Sequence, residues 1–203
     1  MKKTLFALAL AAAPFLANAS EANGIGYTHV QLDYLYQDGD GIYPNGGVLS
    51  GSYAFNDNVF GTASYGENSD SRSHTRFQSE NRSLGVGFNT AIGSRADWVS
   101  QIAYVDNDVS VHVHDSFWNC APYCKRGLNF KGGKISTGVM GRITDQLTAN
   151  AYLGYEDYDH GYEGNAFAEF GAVYSFNPTW GLHGGLTLAE GTDTYTVGVR
   201  ASF

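Results

Sequence analysis

The sequence predicts an all-β fold, a closed antiparallel up-and-down transmembrane barrel of about ten strands. Apolar and polar residues alternate with a period of two in segment after segment, which places one set on each face of a strand. Past residue 19 the longest apolar run is Ile102–Val105, too short for a membrane-spanning helix. Short turns also alternate with longer polar connections along the chain. Eight strands is the alternative, if the two weakest segments belong to loops.

The N-terminus has the layout of a secretory signal. A basic start precedes the apolar stretch Leu5–Leu16, and the small residues of Ala17–Ala19 follow it. The apolar stretch falls short of the roughly 20 residues that a spanning helix needs. We therefore expect residues 1–19 to be a cleaved signal peptide and residues 20–203 to form one barrel domain, since no linker-like stretch divides them.

The charge of the chain excludes some partners. The sequence holds 12 Lys and Arg against 20 Asp and Glu, a net charge of -8. Without Lys2 and Lys3, 10 basic residues remain against the same 20 acidic ones, so the mature charge is -10. Nucleic acid requires a basic surface, so we expect no nucleic acid as a partner.

The C-terminal segment alternates most clearly, since Tyr195, Val197 and Val199 interleave with Thr196, Gly198 and Arg200. Nine earlier segments read as strands: Tyr27–Tyr36, Gly47–Phe55, Val59–Gly66, Leu84–Asn89, Trp98–Val105, Ile135–Ile143, Leu147–Glu156, Ala168–Phe176 and Trp180–Leu188. The second, third and fifth of these alternate less cleanly, so their facing is not predicted.

Two kinds of connection join these segments. Short turns are predicted at Asn56–Asn58, Gly93–Asp97, Thr144–Gln146 and Asn177–Thr179. Longer polar connections are predicted at Gln37–Asn45, Glu67–Asn81, Asp106–Gly133, Tyr158–Gly164 and Ala189–Asp193. In a membrane barrel the short turns face the periplasm and the long loops face outward, which also puts both termini on the periplasmic side.

Aromatic residues favour a membrane barrel over a water-soluble β-sandwich. They make up 14% of the chain, and many fall near predicted strand ends: Tyr36, Phe55, Tyr65, Trp98, Tyr155, Phe176, Trp180 and Tyr195. Rings at those heights would form the interfacial girdles of a barrel.

The polar face of the strands is too charged for a dry protein core. It carries Asp33, Arg142, Glu156, Glu169 and Arg200, together with His29 and His183. Unpaired charges would be costly to bury, so we predict that these side chains form a salt-bridge network that fills the lumen. A barrel of eight to ten strands is narrow enough for side chains to fill most of its interior.

The signal-like start, the alternating segments and the terminal Ser202-Phe203 resemble the small outer-membrane barrels typified by the OmpA transmembrane domain and OmpX. Two segments, Gly26–Val30 and Gly51–Phe55, are similar to a sub-family once discussed as quorum-signal or immune-elicitor proteins. In the wider family a C-terminal aromatic is recognised by the outer-membrane assembly machinery. The resemblance therefore implies that Phe203 is an assembly signal. We expect a monomer that contacts outer-membrane lipid and lipopolysaccharide.

Two cysteines, Cys120 and Cys124, lie in a chain predicted to be exported, where disulfides persist. Their spacing can close through a turn at Pro122, so we predict a disulfide at a loop tip. Zinc is an alternative because His112 and His114 are nearby, but a second pair of cysteines is missing. Free thiols are the third reading, and we expect no metal and no cofactor.

Polar loop residues offer candidate catalytic groups: Asp157, Asp159, His160, His112, His114 and Asp115. A His beside an Asp can act as a general base, but no motif of a barrel protease or acyltransferase is present, so we predict that the protein is not an enzyme. Asp38–Gly41 offers oxygen ligands for calcium on a flexible turn, but it lacks the series of ligands and the terminal Glu of an EF-hand loop. An ordinary acidic turn is the favoured interpretation. The stretch Asn68–Glu80 could contact lipopolysaccharide phosphates through Arg72, His74 and Arg76, although exposed loops are often polar without any ligand.

The sequence thus gives three hypotheses for function. The first is a structural or adhesive surface protein with a lumen largely filled by side chains. The second is a narrow pore for small solutes, and the third is a membrane-embedded enzyme.

Overall fold

In a computed structural model the protein forms a closed, all-antiparallel barrel of ten strands. The structure describes residues 23–39, 41–72, 75–113, 124–159 and 164–203, so the predicted signal peptide lies outside it. The strands are β1 (His29–Gly39), β2 (Asn45–Ala54), β3 (Val59–Arg72), β4 (Thr75–Ala91), β5 (Ala96–Val113), β6 (Cys124–Arg142), β7 (Leu147–Tyr158), β8 (Asn165–Ser175), β9 (Trp180–Ala189) and β10 (Thr192–Ser202). Each strand pairs with its neighbours in sequence, and β1 closes the ring against β10.

The predicted fold class is confirmed, with ten strands rather than eight. The register of β1 on β10 runs from His29 opposite Ser202 to Gly39 opposite Thr192. Closure of this kind leaves no free sheet edge at the height where all ten strands are paired. Across the described residues, no helix is long and apolar enough to cross a membrane.

The two ends of the barrel differ in their connections. At one end, here the turn end, four tight turns at 55–58, 92–95, 143–146 and 176–179 lie beside residues 23 and 203. Asn side chains cap two of these turns, since Asn56 Oδ1 accepts hydrogen bonds of 2.9 Å from the backbone N–H groups of Asn58 and Val59, and Asn177 does the same for Thr179 and Trp180. The opposite end is the loop end.

The predicted long connections at the loop end are wrong in three places. Glu67–Asn81 and Asp106–Gly133 are largely strand, because β4, β5 and β6 run for 17, 18 and 19 residues whereas β9 has 10. The β9–β10 connection is only residues 190–191, with Gly191 at a φ of 76°. The backbone keeps pairing strand to strand beyond the point where apolar alternation stops. Polarity on both faces had made these stretches look like loops.

The outward face carries an apolar belt, defined by exposed aliphatic side chains on most strands: Leu32, Leu84, Val86, Ile102, Ile135, Leu153, Leu182, Val197 and Val199. Exposed aromatic residues lie on both sides of it. Toward the loop end they are Tyr36, Tyr65, Tyr104, Tyr155 and Tyr195; toward the turn end they are Phe55, Phe88, Trp98, Tyr174, Phe176 and Trp180. The belt and its two aromatic rows therefore expose apolar side chains on most of the ten strands.

Beyond the belt, the loop-end parts of β3 to β6 continue as a protruding sheet, residues 67–72, 75–82, 106–113 and 124–131. Its outward side chains are polar: Arg82 forms an ion pair of 2.9 Å with Glu80, and Asn129 donates a hydrogen bond of 2.7 Å to Asp106. Its inward side chains include apolar ones such as Val109. The sheet therefore extends the barrel wall on one side only, and its outer surface suits water.

Candidate functional site

The inward side chains fill much of the lumen, and glycines on neighbouring strands make room for the largest of them. A Cβ at Gly87 would collide with the ring of Phe60, and one at Gly154 would collide with the ring of Phe167. Both rings are buried, at 3% and 5% exposure. Glycine at these two positions therefore leaves room for the ring of the directly paired residue on the adjacent strand.

Near the turn end an apolar layer crosses the lumen. We call it the turn-end plug: Ile25, Tyr27, Phe60, Val99 and Tyr152, all of them buried. The first two belong to the segment that precedes β1, which folds into the barrel mouth instead of leaving it. Tyr27 stacks on Phe60 with ring centroids 4.7 Å apart, and Val99 is fully buried. The plug therefore combines wall residues with the chain's own N-terminal segment.

One carboxylate holds that segment in place. Asp97, at the start of β5, is 4% exposed and accepts hydrogen bonds from Asn23 Nδ2 at 2.6 Å and from Tyr27 Oη at 2.8 Å, one on each oxygen. Burial raises the pKa of the Tyr27 hydroxyl well above its ordinary value, and the hydrogen bond to Asp97 raises the same pKa further. Tyr27 therefore remains a protonated donor. Charge-assisted hydrogen bonds of this kind are the stronger ones in proteins.

A polar chain runs across the lumen above the plug. Arg200 Nε donates to Gln31 Oε1 at 2.7 Å, and Gln31 Nε2 donates to Asp33 Oδ2 at 2.5 Å. His183 Nδ1 lies 2.8 Å from Asp33 Oδ1. An ionised carboxylate only accepts hydrogen bonds, so Asp33 and His183 are hydrogen-bonded when Nδ1 carries a proton; Gln31 Nε2 lies 2.9 Å from the same nitrogen. The Asp33 carboxylate thus accepts a hydrogen bond from Gln31 and lies beside the His183 ring, and Gln31 links it to the Arg200 guanidinium.

A second layer lies closer to the loop end. Lys134 Nζ is 3.6 Å from Glu169 Oε2 and 4.2 Å from the centroid of the Phe167 ring. The ammonium group therefore has both an opposite charge and an aromatic face as neighbours. This layer separates the space around the polar chain from the space at the loop end.

The two layers divide the lumen into chambers. A middle chamber of about 340 Å³ is lined by His29, Tyr152, Glu169 and Arg200, among others. A loop-end chamber of about 450 Å³ is lined by Gln37, Asn107, Lys134 and Glu156, among others. Below the plug, a recess of about 250 Å³ opens at the turn end.

The five predicted lumen charges lie at different heights. Asp33 and Arg200 are brought together through Gln31. Glu169 pairs with Lys134. Glu156 lies in the loop-end chamber, where its Oε2 accepts a 3.1 Å hydrogen bond from Tyr158 Oη.

Arg142 lies apart from the other four, at the turn end. Its guanidinium lies against Gly24, and its Nη2 is 3.9 Å from Asp145 Oδ1. Within the described residues, no ion pair or hydrogen bond joins it to the other predicted lumen charges.

Several partners in these contacts were not part of the predicted network: Asn23, Gln31, Asp97, Lys134 and Tyr158. The alternation that placed Arg200 on the inner face also places Gln31 and Lys134 there. Gln31 lies two residues before Asp33, and Lys134 lies two residues before Ser136. Asp97 carried no such signal, because it lies within a predicted turn.

Other candidates from the sequence lie at or outside the limits of the described residues. Cys120, His114, Asp115 and His160 are outside them, and the Cys124 and His112 side chains are not described. Asp159 is described, and its Oδ1 accepts a 2.8 Å hydrogen bond from the backbone of Lys131. Within the described part of the chain, no group of three or more His, Cys, Asp or Glu residues could hold a metal ion. The C-terminal Phe203 donates its backbone N–H to Thr28 at 3.1 Å.

Comparison with solved structures finds other barrels at low sequence identity. The translocator domain of the autotransporter NalP from Neisseria meningitidis has a TM-score of 0.49 and 12% identity, covering 100% of this chain and 96% of that chain. The KdgM porin gives 0.46 and 14%, covering 85% and 99%. Ail, the attachment invasion locus protein of Yersinia pestis, gives 0.45 and 11%, covering 86% and 95%. No protein-family model and no curated protein matches the sequence.

Proposed function

We propose that this chain is an outer-membrane surface protein: a barrel that spans the membrane, conducts no solute at rest, and meets the cell exterior through its loop end. The apolar belt with an aromatic row on either side supports the membrane location. A backbone can cross hydrocarbon only when all its polar groups are paired, and a ring of ten strands meets that condition.

The polar outer surface of the protruding sheet supports the orientation. Arg82, Glu80, Asp106 and Asn129 on that surface would be unfavourable in lipid and are suited to water. The turn end, with its tight turns and residues 23 and 203, then faces the periplasm. The protruding sheet stands above the membrane, where a structural or adhesive contact with the outside would be made.

The turn-end plug is the single observation that carries the closed state. It closes the lumen with buried apolar and aromatic side chains, and Asp97 ties the N-terminal segment to the wall through Asn23 and Tyr27. Ions do not cross such a layer readily, because nothing in it replaces their hydration.

A narrow pore is the second candidate function, and the chambers favour it. The middle chamber and the loop-end chamber are separated by one ion pair, Lys134 with Glu169, and the plug is a single layer thick. Movement of the segment 23–28 out of the mouth would leave a polar path along most of the lumen.

Conductance across a planar bilayer tests both functions. We expect the wild-type protein to give no steady channels, and Asp97→Ala to give openings, because the substitution removes the acceptor of both Asn23 and Tyr27. The control is Asp57→Ala, which changes an exposed acid at the same end and should behave as wild type. Steady, reproducible wild-type channels would contradict the closed barrel and support the pore. Absence of openings in Asp97→Ala would show that Asp97 does not hold the plug in place.

Further inferences rest on the sequence and remain proposals. We infer that residues 1–19 are removed on export, that Cys120 and Cys124 form a disulfide, and that the assembly machinery recognises Phe203. We also propose that the protein is a monomer in contact with lipid and lipopolysaccharide, binds no nucleic acid, and is not an enzyme.

A further inference from the structure

The loop-end chamber differs from the rest of the lumen in the kind of side chain that lines it. Amide and hydroxyl groups predominate: Gln37, Asn68, Ser79, Asn81, Asn107 and Thr187. Each of these groups can both donate and accept a hydrogen bond. The polar chain of the middle chamber, in contrast, is organised around the charged groups of Asp33 and Arg200.

Hydrogen bonds between lining residues hold the amides in fixed positions. On one wall Asn68 Nδ2 donates to Gln37 Oε1 at 2.7 Å, and Gln37 Nε2 donates to Thr194 Oγ1 at 3.3 Å. On the neighbouring strands β4 and β5, Asn81 Nδ2 donates to Asn107 Oδ1. Each amide has further donor or acceptor capacity, and the hydroxyls of Ser79 and Thr187 form no hydrogen bond with another described residue. The chamber thus presents preorganised polar groups to whatever enters it.

The charged side chains that line the chamber are Glu67, Lys134 and Glu156, and each already has a partner in the protein. Lys134 lies directly opposite Glu156 in the pairing of β6 with β7, and both side chains line the chamber. Glu156 is also hydrogen-bonded by Tyr158, and Lys134 is paired with Glu169 at the floor. Glu67 accepts a hydrogen bond from Tyr65. Since the lining carboxylates outnumber the ammonium group, an anionic ligand is disfavoured, and since every charged group is already partnered, none of them requires a cationic one. The site therefore favours a neutral ligand.

Apolar and aromatic side chains complete the lining, among them Leu35, Val109, Phe130 and Tyr158. A ligand that suits such walls together with many amides has hydroxyl groups around its edge and apolar C–H faces. The chamber volume of about 450 Å³ lies at the lower end of the range for small-molecule pockets. This is room for one or two sugar rings and too little for a folded peptide.

We propose that the loop-end chamber is a binding site for a neutral sugar, a mono- or disaccharide or the end of a longer glycan. That it would meet such a ligand from outside the cell rests on the proposed orientation. The affinity itself depends only on the chamber. Asn81 and Asn107 on the protruding sheet contribute hydrogen bonds to the sugar hydroxyls, and removal of either amide leaves a hydroxyl unpaired.

Calorimetric titration of the purified protein in micelles of a zwitterionic detergent tests this site. Maltoside and glucoside detergents carry a sugar head group and would occupy it. The probes are maltose, galactose and N-acetylglucosamine as neutral sugars, with glucuronate as the acidic one. We expect at least one neutral sugar to bind, more tightly than glucuronate, and Asn107→Ala to weaken that binding roughly tenfold, the loss of about one good hydrogen bond.

The matched control is Asn129→Ala. It removes the same side chain from the adjacent strand of the protruding sheet, but on the outward face. It should bind the sugar as wild type does, and both variants should keep the heat-modifiable gel mobility of a folded barrel. Absence of binding by every neutral sugar, tighter binding of glucuronate, or an equal loss in both variants would overturn the proposal. Because the titration is done in micelles, its result does not depend on whether the membrane location holds.

Discussion

The same strands show two different outward surfaces. At the height of the belt, Ile102 on β5 lies between Val86 and Ile135 of the neighbouring strands, and Ile102 is 63% exposed. Farther along β5, the outward positions are Asp106 and Asp108, opposite Lys131 and Asn129 of β6. Hydrogen-bonded pairing is continuous through both regions. What differs between the two regions is the polarity of the outward side chains: apolar at the height of the belt and polar farther along the strand.

This difference shows that backbone pairing and surface polarity are set by separate causes. Strands pair because each buried or crowded N–H and C=O group needs a partner, and this holds in lipid and in water alike. The polarity of the outward side chains depends instead on the medium that surrounds the barrel at that height. The height at which β5 turns from Ile102 and Tyr104 to Asp106 therefore marks the upper limit of the belt.

The largest effect should come from a charge placed in the belt. Ile102→Arg puts a guanidinium at the middle of the apolar band and should lower the free energy of unfolding by about 2–4 kcal/mol. Asn129→Arg, outward on the protruding sheet, should change it by less than roughly 0.5 kcal/mol. Urea unfolding in lipid vesicles measures both. Equal effects at the two sites would show that the two surfaces face the same medium.

A smaller effect is expected inside the barrel, where polarity does not follow the outward surface. Asp33→Ala removes the acceptor of both Gln31 and His183 and should lower the free energy of unfolding by about 1–3 kcal/mol, because buried donors are left unpaired. Asp38→Ala, at an exposed position on the same strand, should have little effect.

A double-mutant cycle between Asp33→Ala and His183→Ala separates this contact from other losses. The coupling should be about 0.5–3 kcal/mol, as for side chains in one hydrogen-bond network. Additive losses would mean that His183 and Asp33 do not stabilise each other. The two side chains would then be close together without a favourable interaction between them.

The smallest effect on stability should come from removing the outer half of the long β5–β6 hairpin. Asp106 and Lys131 lie directly opposite each other, so residues 107–130 can be replaced by Asn-Gly, a two-residue turn suited to hairpins. We expect the shortened protein to keep heat-modifiable mobility and to unfold within roughly 1 kcal/mol of wild type, because the removed part is distant from the closed ring. Failure to form the barrel would show that the protruding sheet is needed for folding.

Much of the fold could be predicted from the sequence, and two of the three wrong connections, Glu67–Asn81 and Asp106–Gly133, have a common cause. Where one face is apolar and the other is polar, alternation appears, as in Tyr195 to Ala201, and the strand and its facing follow. In Glu67–Asn81 both faces are largely polar, so the period-two signal disappears although the strands persist. The prediction of loops there was wrong for this reason.

The lumen could be predicted in kind but not in its contacts. Alternation places Asp33, Glu169 and Arg200 on the inner face, and it says nothing about which strand lies across the barrel from which. The pairing of Lys134 with Glu169 requires the packing of β6, β7 and β8 around a closed ring. The anchoring of Asn23 and Tyr27 on Asp97 joins residues 74 and 70 positions apart, and no local pattern marks it.

The sequence by itself determined the all-β class, a count of about ten strands with eight as the alternative, and the outward side chains of the strands that alternate cleanly, because a two-residue period of apolar and polar residues is a local property of the chain. Only the tertiary structure decided where the strands end, which lumen groups meet, and that the segment before β1 closes the barrel mouth. These three features depend on the closure of the ring, which brings strands that are distant in sequence together around one lumen. The size and charge of the inward side chains then decide how the lumen is filled.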